Sequence, residues 1–288
     1  MLRKQHQTKR ERRLYEVYLP DNMTNDPYPV VLVHHGGGNS ARGFATGAGK
    51  WNINGNGSTD KFILVFPQAT ELPNKPGKHT WNAGFSAKGI SGADDVSYIN
   101  DVLSEVCVRY NVDRTNIFAC GNSNGAMFTY RLAAESSEWF RAFGVAQGTA
   151  GGQQGISGKP HFNFPTEDGR RLSVIAYHNE NDPSVRFLPT LNRDYPSNLA
   201  NQDNYEWYLS GRREVGFWPS VLTWLNKNKL DDTHAAPVVT NGFVKIHKWN
   251  DGDRKVKAIV NSDPAMLHNW PSDGAPEMLT FFESIVNS

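Results

Sequence analysis

The residues best suited to chemistry in this 288-residue chain form the segment Gly121-Asn122-Ser123-Asn124-Gly125. The segment has the pattern G-x-S-x-G, follows the strand-like stretch 117–120 and begins a helix-like stretch. In that context the serine lies in a tight turn, its hydroxyl is exposed, and the N–H groups of the first helical turn face it. We therefore predict that Ser123 is a nucleophile; the alternative is a glycine-rich turn whose serine only caps the helix.

A serine that attacks a carbonyl carbon needs hydrogen-bond donors for the negatively charged oxygen that forms. One expected donor is the backbone N–H of Asn124, the residue after the nucleophile. The second is expected from the run His34 to Gly38, which ends an early strand, because glycines leave backbone N–H groups unobstructed. We predict that Gly37 supplies it. The alternative is a plain tight turn.

The serine also needs a general base that is oriented by a carboxylate. In this strand–turn–helix arrangement the chain order is serine, acid, histidine, which leaves three of the nine histidines. His268 is favoured because it lies in a loop after the last strand-like stretch, 256–260, and before a helix. His247 lies within a strand and His234 precedes one, so both are less suitable.

The acid is expected at the end of the strand-like stretch 172–177. The loop that follows contains two carboxylates, Glu180 and Asp182. We favour Asp182, because Pro183 restrains its backbone to an extended conformation and so helps to hold one orientation. Glu180 is the alternative.

The elements that must position these residues alternate between strands and helices. Continuous apolar strands are typical of parallel sheets that are buried on both faces. Strands are predicted at 14–19, 29–35, 61–66, 116–120, 143–147, 172–177, 243–249 and 256–260. Helices are predicted at 94–110, 123–135, 219–228 and about 276–286. This alternation predicts an α/β fold with a central, mostly parallel, doubly wound sheet flanked by helices.

The length is compatible with one domain over residues 1–288. Two stretches interrupt the alternation: 151–171, rich in Gly, Gln and Pro, and the aromatic-rich insertion 186–216. Long irregular segments of compact domains are often functional. We therefore predict that 186–216 is a lid or another substrate-facing insertion; the alternative is a surface excursion packed by its own aromatic side chains.

Composition excludes several other functions. The 30 Lys and Arg residues balance 29 Asp and Glu residues, which argues against a nucleic-acid partner. No apolar run approaches the roughly 20 residues that span a bilayer, so no membrane partner is expected. No metal-ligand spacing and no dinucleotide-binding glycine motif occur, and we expect neither a metal nor a cofactor.

We predict that the two cysteines are free and that the carboxylates of Asp94 and Asp95 belong to a helix N-terminus. The protein is expected to be secreted if a leader precedes this sequence and cytoplasmic otherwise.

Several short blocks, in order along residues 13–286, carry a resemblance to a known family. They are Val33-His34-His35-Gly36-Gly37-Gly38-Asn39, Phe66-Pro67-Gln68, Trp81-Asn82-Ala83-Gly84, Asp94-Asp95-Val96, Val112-Asp113-Arg114, Gly121-Asn122-Ser123-Asn124-Gly125 and His268-Asn269-Trp270-Pro271. With these blocks the chain resembles the polyhydroxybutyrate depolymerase/feruloyl esterase group of α/β-hydrolases, which is related to the carbohydrate esterase family of acetylxylan and feruloyl esterases.

The resemblance implies that Ser123, Asp182 and His268 match the family's catalytic triad and that the block at Trp81 forms a loop beside the active site. The family commonly has His-Gly after the strand that carries the acid, whereas this chain has His178-Asn179.

The expected function is that of a serine carboxylic ester hydrolase that works through an acyl-enzyme. The expected substrates are feruloyl or acetyl esters of polysaccharide, polyhydroxyalkanoate-like polymers or other polyesters. Trp81 and Trp270 are expected to contact a planar or extended acyl group; the alternative is that these aromatic residues only pack in the core. The alternatives are another serine hydrolase, such as a lactonase or peptidase, and a binding module that has lost catalytic activity.

Overall fold

The computed structural model describes residues 2–8, 13–47, 51, 58–84, 93–150, 169–185, 187 and 216–287, and the backbone of 152–154 and 160–162. The strands are β1 (Leu2–Gln7), β2 (Leu14–Leu19), β3 (Tyr28–His34), β4 (Ile63–Pro67), β5 (Thr70–Glu71), β6 (His79–Thr80), β7 (Val112–Asn122), β8 (Ala142–Ala146), β9 (Gly152–Gln154), β10 (Pro160–Phe162), β11 (Ser173–Asn179), β12 (Val239–Asn241), β13 (Val244–Asn250) and β14 (Lys255–Asn261). The α-helices are α1 (Ala41–Thr46), α2 (Asp95–Arg109), α3 (Asn124–Glu135), α4 (Phe217–Asn228) and α5 (Gly274–Val286).

Ten of the described strands form one sheet in the order β1-β2-β4-β3-β7-β8-β11-β14-β13-β12. The six central strands, from β4 to β14, are mutually parallel, and the strands at both edges are antiparallel. Parallel neighbours all end at the same edge of a sheet. The loops after β3, β7, β11 and β14 therefore meet there, and these loops contain Gly37, Ser123, Asp182 and His268.

A hydrophobic core lies on each face of the sheet. One core contains apolar residues of α2, α3 and α4, including Leu103, Phe128 and Trp224. The other contains residues of α1 and α5, including Phe44 and Phe282. Helices on both faces of a largely parallel sheet are the arrangement that the alternation of strands and helices predicted.

Several described elements were absent from the prediction, among them strand β1 and helix α1. Strand β1 is polar and mostly exposed, so it has no apolar pattern, and it is recognisable only by its antiparallel pairing with β2. Helix α1 has six residues, too few to produce a helical period. The Asp94 side chain accepts a hydrogen bond from the backbone N–H of Ser97 and caps α2, as predicted.

The predicted insertion 186–216 lies outside the described residues apart from its positions 187 and 216, and most of 151–171 also lies outside them. Cys107 and Cys120 are free thiols. Across the described part of the chain, the helices are too short or too polar to cross a membrane.

Candidate active site

Ser123 lies in the turn between β7 and α3, with φ 52° and ψ −122°. Few residues other than glycine adopt a positive φ, and such strain is typical of functional sites. Two backbone hydrogen bonds hold the turn: Ser123 N–H donates to the carbonyl oxygen of Ala146 at 2.9 Å, and Met127 N–H donates to that of Ser123 at 3.0 Å. The turn therefore directs the hydroxyl beyond the end of the sheet.

Three glycines leave the space that this turn requires. A Cβ atom at Gly121 would lie less than 3.0 Å from backbone atoms of Gly125, and one at Gly125 would lie that close to the backbone of His34. A Cβ atom at Gly148 would meet the carbonyl oxygen of Ser123 at 2.7 Å. Backbone atoms cannot move aside as flexible side chains can, so the serine is held by close backbone packing.

His268 lies between the serine and a carboxylate. Its Nε2 atom is 2.8 Å from Ser123 Oγ, and its Nδ1 atom is 2.6 Å from Asp182 Oδ2. The carboxylate accepts from Nδ1–H, which leaves Nε2 unprotonated and able to accept the serine proton. The structure thus brings together the three side chains that the sequence nominated.

The carboxylate of Asp182 is completely buried and uses both oxygen atoms. Oδ2 faces His268, and Oδ1 accepts hydrogen bonds from the backbone N–H groups of Ser184 at 2.8 Å and Val185 at 2.9 Å. These two bonds fix the orientation of the carboxylate. The alternative acid, Glu180, is not the carboxylate that His268 contacts.

The other two late histidines lie elsewhere. His234 belongs to a short 3₁₀ helix and pairs with Asp231. His247 lies in β13, with its ring against those of Trp218 and Trp249.

The sequence analysis assigned no role to His178, which lies near the end of β11, just before the loop that carries Asp182 (the acid loop). This fully buried histidine donates from Nε2 to the carbonyl oxygen of Val185 at 2.9 Å, and Nε2 is 3.7 Å from Asp182 Oδ2. Burial lowers the pKa of His178 to about 4, so the ring is neutral at pH 7. The sequence could have indicated His178 only by its position, four residues before Asp182 and at the end of a strand.

The two predicted oxyanion donors lie next to each other. Asn124 is the first residue of α3, so its backbone N–H has no acceptor within the helix. A Cβ atom built on Gly37 would lie 3.5 Å from the Cβ of Asn124, and one built on Gly36 would lie 3.6 Å from that of Ser123. The glycine loop after β3 thus lies against the nucleophile turn.

Trp81 has a different role from the predicted contact with substrate. Its side chain is completely buried, stacked on Phe128, and its Nε1–H donates to the carbonyl oxygen of His35 at 2.9 Å. Its backbone N–H donates to Asn124 Oδ1 at 2.7 Å, and Asn124 Nδ2 donates to its carbonyl oxygen at 3.1 Å. The Trp81 loop does lie beside the site, but it supports Asn124 through its backbone.

Trp270, two residues after His268, is half-buried. Its ring packs against those of Phe44 and Trp51, with centroid distances of 5.4 and 5.8 Å. This aromatic cluster connects the histidine loop to the helix α1 side of the sheet. A substrate contact for Trp270 stays a prediction.

Two buried histidines lie behind the serine turn. His34 Nδ1 is 2.9 Å from Thr129 Oγ1, which donates to the carbonyl oxygen of Gly125 at 2.8 Å. His35 accepts at Nε2 from the backbone N–H of Ala69 at 3.2 Å. Burial lowers the pKa of His34 to about 3 and that of His35 to about 4, so both rings are neutral.

Among the residues that the structure describes, no cluster of three or more His, Cys, Asp or Glu side chains could hold a metal ion.

Solved structures with a similar fold identify the fold of this chain. The chain has the α/β-hydrolase fold: it superimposes with a TM-score of 0.63 on an acetyl xylan esterase from Aspergillus awamori, over 98% of this chain and 99% of that one, at 15% identity. An S-formylglutathione hydrolase from Agrobacterium tumefaciens gives a TM-score of 0.56 over 99% and 92% of the two chains, at 11% identity. At these identities the similarity shows the fold alone.

The proteins that are similar to this chain in sequence are acetylxylan and feruloyl esterases. The chain is 30% identical to a probable acetylxylan esterase A of Neosartorya fischeri over 141 residues, 48% of this chain and 36% of that protein. It is 30% identical to an acetylxylan esterase of Coprinopsis cinerea over 183 residues, 62% and 46% of the two chains. It is 25% identical to feruloyl esterase B of Talaromyces stipitatus over 272 residues, 88% and 70% of the chains.

The chain spans less than half the length of the first two of these relatives. No family model matches it. The relatives confirm the predicted resemblance to acetylxylan and feruloyl esterases, and the resemblance to polyhydroxybutyrate depolymerases stays a prediction.

Proposed function

We propose that this protein is a serine carboxylic ester hydrolase that works through an acyl-enzyme. The observation that carries the proposal is the position of His268, whose two ring nitrogens lie within hydrogen-bond distance of Ser123 Oγ and Asp182 Oδ2. A neutral imidazole held in this way activates a hydroxyl that otherwise keeps its proton at pH 7.

In the first half of the proposed reaction, Ser123 Oγ attacks the ester carbonyl carbon while its proton moves to Nε2 of His268. The tetrahedral intermediate collapses, the bond to the alcohol breaks, and His268 returns the proton to the departing alkoxide. Water then attacks the acyl-enzyme by the same route and releases the acid and Ser123. Asp182 holds the imidazole tautomer and stabilises the imidazolium in both halves.

Gly37 and Asn124 are the proposed oxyanion donors. Their adjacency supports this role, as does the fixing of the Asn124 side chain by Thr80 Oγ1, at 3.0 Å, and by the Trp81 backbone. A fixed Asn124 keeps the start of α3 aimed at the developing charge, where a single donor is worth on the order of 10²–10³ in rate.

The proposed substrates are acetyl or feruloyl esters of polysaccharide. The names of the relatives, acetylxylan esterase and feruloyl esterase, support this class. Trp270, in its cluster with Phe44 and Trp51, is the proposed contact for a planar acyl group. Polyhydroxyalkanoate-like and other polyesters are the second class to be tested, because the motifs resemble those of polyhydroxybutyrate depolymerases.

The test is a substrate panel with matched wild-type and Ser123→Ala proteins. It comprises p-nitrophenyl esters of increasing acyl length, methyl ferulate, acetylated xylan and a polyester film. We expect hydrolysis of acetyl or feruloyl esters, reduced by at least about 10⁴-fold in Ser123→Ala. Equal rates for the two proteins, or no turnover of any ester by the folded wild type, would contradict the proposal.

A further inference from the structure

Gln147 is a buried polar residue outside the predicted site. It directly follows β8, is completely buried, and has a φ of 54°. Its backbone N–H donates to the carbonyl oxygen of Tyr177 in the neighbouring strand β11 at 3.0 Å. The sequence pattern suggested only that Gln147 ends a strand, but the strand ends one residue earlier and the chain turns into the left-handed region.

The side chain of Gln147 joins the two loops that carry the acid and the base. Its Oε1 atom accepts from the backbone N–H of Asn179, the last residue of β11, where the acid loop begins, at 3.1 Å. Its Nε2 atom donates to the carbonyl oxygen of Asn269 at 3.1 Å and lies 3.4 Å from that of Leu267. Leu267 and Asn269 are the two neighbours of His268, so one amide holds the backbone on both sides of the base.

Backbone strain is concentrated around Gln147 and the residues that it connects. Gln147, Leu267 and Ser123 are three of the five described non-glycine residues with positive φ. Such conformations persist where the surroundings impose them, and they cluster at functional sites. At Gln147 and Leu267 the surroundings include the hydrogen bonds just described.

We propose that Gln147 is a positioning residue that holds His268 at hydrogen-bond distance from both Asp182 and Ser123. This role rests on the proposed serine hydrolase function. Gln147 touches neither reacting atom; it acts on the backbone to which the imidazole is attached. A displacement of a reacting group by about 1 Å can cost on the order of 100-fold in rate.

The role requires an amide, because one side chain must accept from the acid loop and donate to the histidine loop. A methionine of similar length can do neither. A glutamate keeps the acceptor, but it can donate only while it is protonated; once ionised, it faces two carbonyl oxygens. Gln147→Glu is therefore expected to retain activity best at acid pH and to lose it, relative to wild type, as the pH rises.

The test compares Gln147→Met with Asn228→Leu. Asn228 is also completely buried and donates from Nδ2 to a backbone carbonyl oxygen, that of Leu172, at 2.8 Å, but it lies at the end of α4. We expect Gln147→Met to lower kcat by about 10- to 100-fold with KM within about threefold of wild type. Asn228→Leu is expected to lose thermal stability while keeping kcat.

A spectroscopic readout separates this proposal from the proposed function. A proton shared between His268 Nδ1 and Asp182 gives a far-downfield ¹H resonance, which needs no substrate. We expect it in wild type and Asn228→Leu, its loss in Gln147→Met, and its presence in Gln147→Glu at acid pH only. A folded Gln147→Met protein with unchanged resonance and unchanged kcat would overturn the role of Gln147, whereas a wild type with the resonance but no esterase activity would contradict the proposed function alone.

Discussion

The two sides of the candidate active site are held in place by different forces. On the serine side, backbone packs against backbone: Gly121 and Gly125 leave no room for a Cβ atom. On the side of the acid and the base, side-chain amides join the two loops: Asn179 Nδ2 donates to the carbonyl oxygen of Asp263 at 3.0 Å, and Asn181 Nδ2 donates to that of Ser262 at 2.9 Å.

This difference matters for how each side responds to change. Steric overlap with backbone cannot be relieved locally, so the serine side should tolerate few substitutions. A hydrogen bond contributes about 1 kcal/mol, so the acid and base side should respond in graded steps.

The largest effect is expected for Gly125→Ala. The added Cβ would lie less than 3.0 Å from the backbone carbonyl oxygens of His34 and His35, so β3 and α3 would have to separate. We expect no soluble folded protein, measured by circular dichroism and yield.

Gly36→Ala is the matched control, because a Cβ there has no neighbour closer than 3.5 Å. It should fold like wild type. Equal folding of the two variants would contradict the steric account of the serine side.

Asp182→Asn should preserve the fold and abolish most of the activity. The Asn carbonyl can still accept from the Ser184 and Val185 N–H groups, but its NH₂ group would then face His268 Nδ1 and force that nitrogen to accept. Nε2 would carry the proton and could not act as a base, so kcat should fall by about 10⁴-fold.

Glu180→Gln is the control for Asp182→Asn and should retain wild-type kcat. A large loss of kcat in Glu180→Gln, with kcat retained in Asp182→Asn, would assign the role of the acid to Glu180.

Stability should fall on acidification, because three buried histidines near the site stay neutral in the folded state. The pKa of His34 is lowered to about 3, and those of His35 and His178 to about 4. An unfolded histidine binds a proton below about pH 6.5, so this stability is complete above that pH and is lost as the pH falls from about 6.5 to the folded pKa values of about 4 and 3. We expect a loss on the order of 5 kcal/mol between pH 7 and 5, measured by urea unfolding.

The contribution of one ring can be separated with two variants. His34→Gln and His35→Gln should each make the pH dependence less steep, because each removes one buried ring whose pKa is lowered. A free energy of unfolding that is constant from pH 7 to 5 would show that the three rings are not kept neutral.

The smallest effect on kcat is expected for Asn179→Gly. Glycine is the residue that the esterase family named in the sequence analysis commonly has at this position. The change removes the bond to Asp263 and the acceptor of the Asn181 N–H, at 2.6 Å. We expect kcat to fall by about 3- to 10-fold, equivalent to about 1 kcal/mol. Asn250→Gly, in the distant hairpin of β13, should leave kcat unchanged; a similar fall there would contradict the graded response.

The sequence was informative where function depends on local chemistry. The G-x-S-x-G turn and the apolar strands are each encoded within a few neighbouring residues. They predicted the fold, and the chain order of nucleophile, acid and base in that fold then left few candidates besides Ser123, Asp182 and His268. The side chains that hold them are distant in sequence: Gln147 contacts residues more than 100 positions away, and no local pattern reports that contact.

Trp81 shows a second reason why prediction was incomplete. An aromatic residue in a loop beside the site can face a ligand or the core, and the sequence pattern does not distinguish these. Here Phe128 and the carbonyl oxygen of His35 provide a buried position for the ring. Which of these two positions a particular aromatic ring takes is decided by tertiary packing.

The most direct test of an activated Ser123 is covalent labelling with a fluorophosphonate, followed by mass spectrometry of the labelled peptide. Ser123 Oγ attacks the phosphorus atom and fluoride leaves, so the adduct reports the activated hydroxyl without any assumption about the natural substrate. We predict one adduct, on Ser123, that is absent in Ser123→Ala and forms far more slowly in His268→Ala. An unlabelled folded wild type, an adduct on another residue, or an equal rate in His268→Ala would contradict the account.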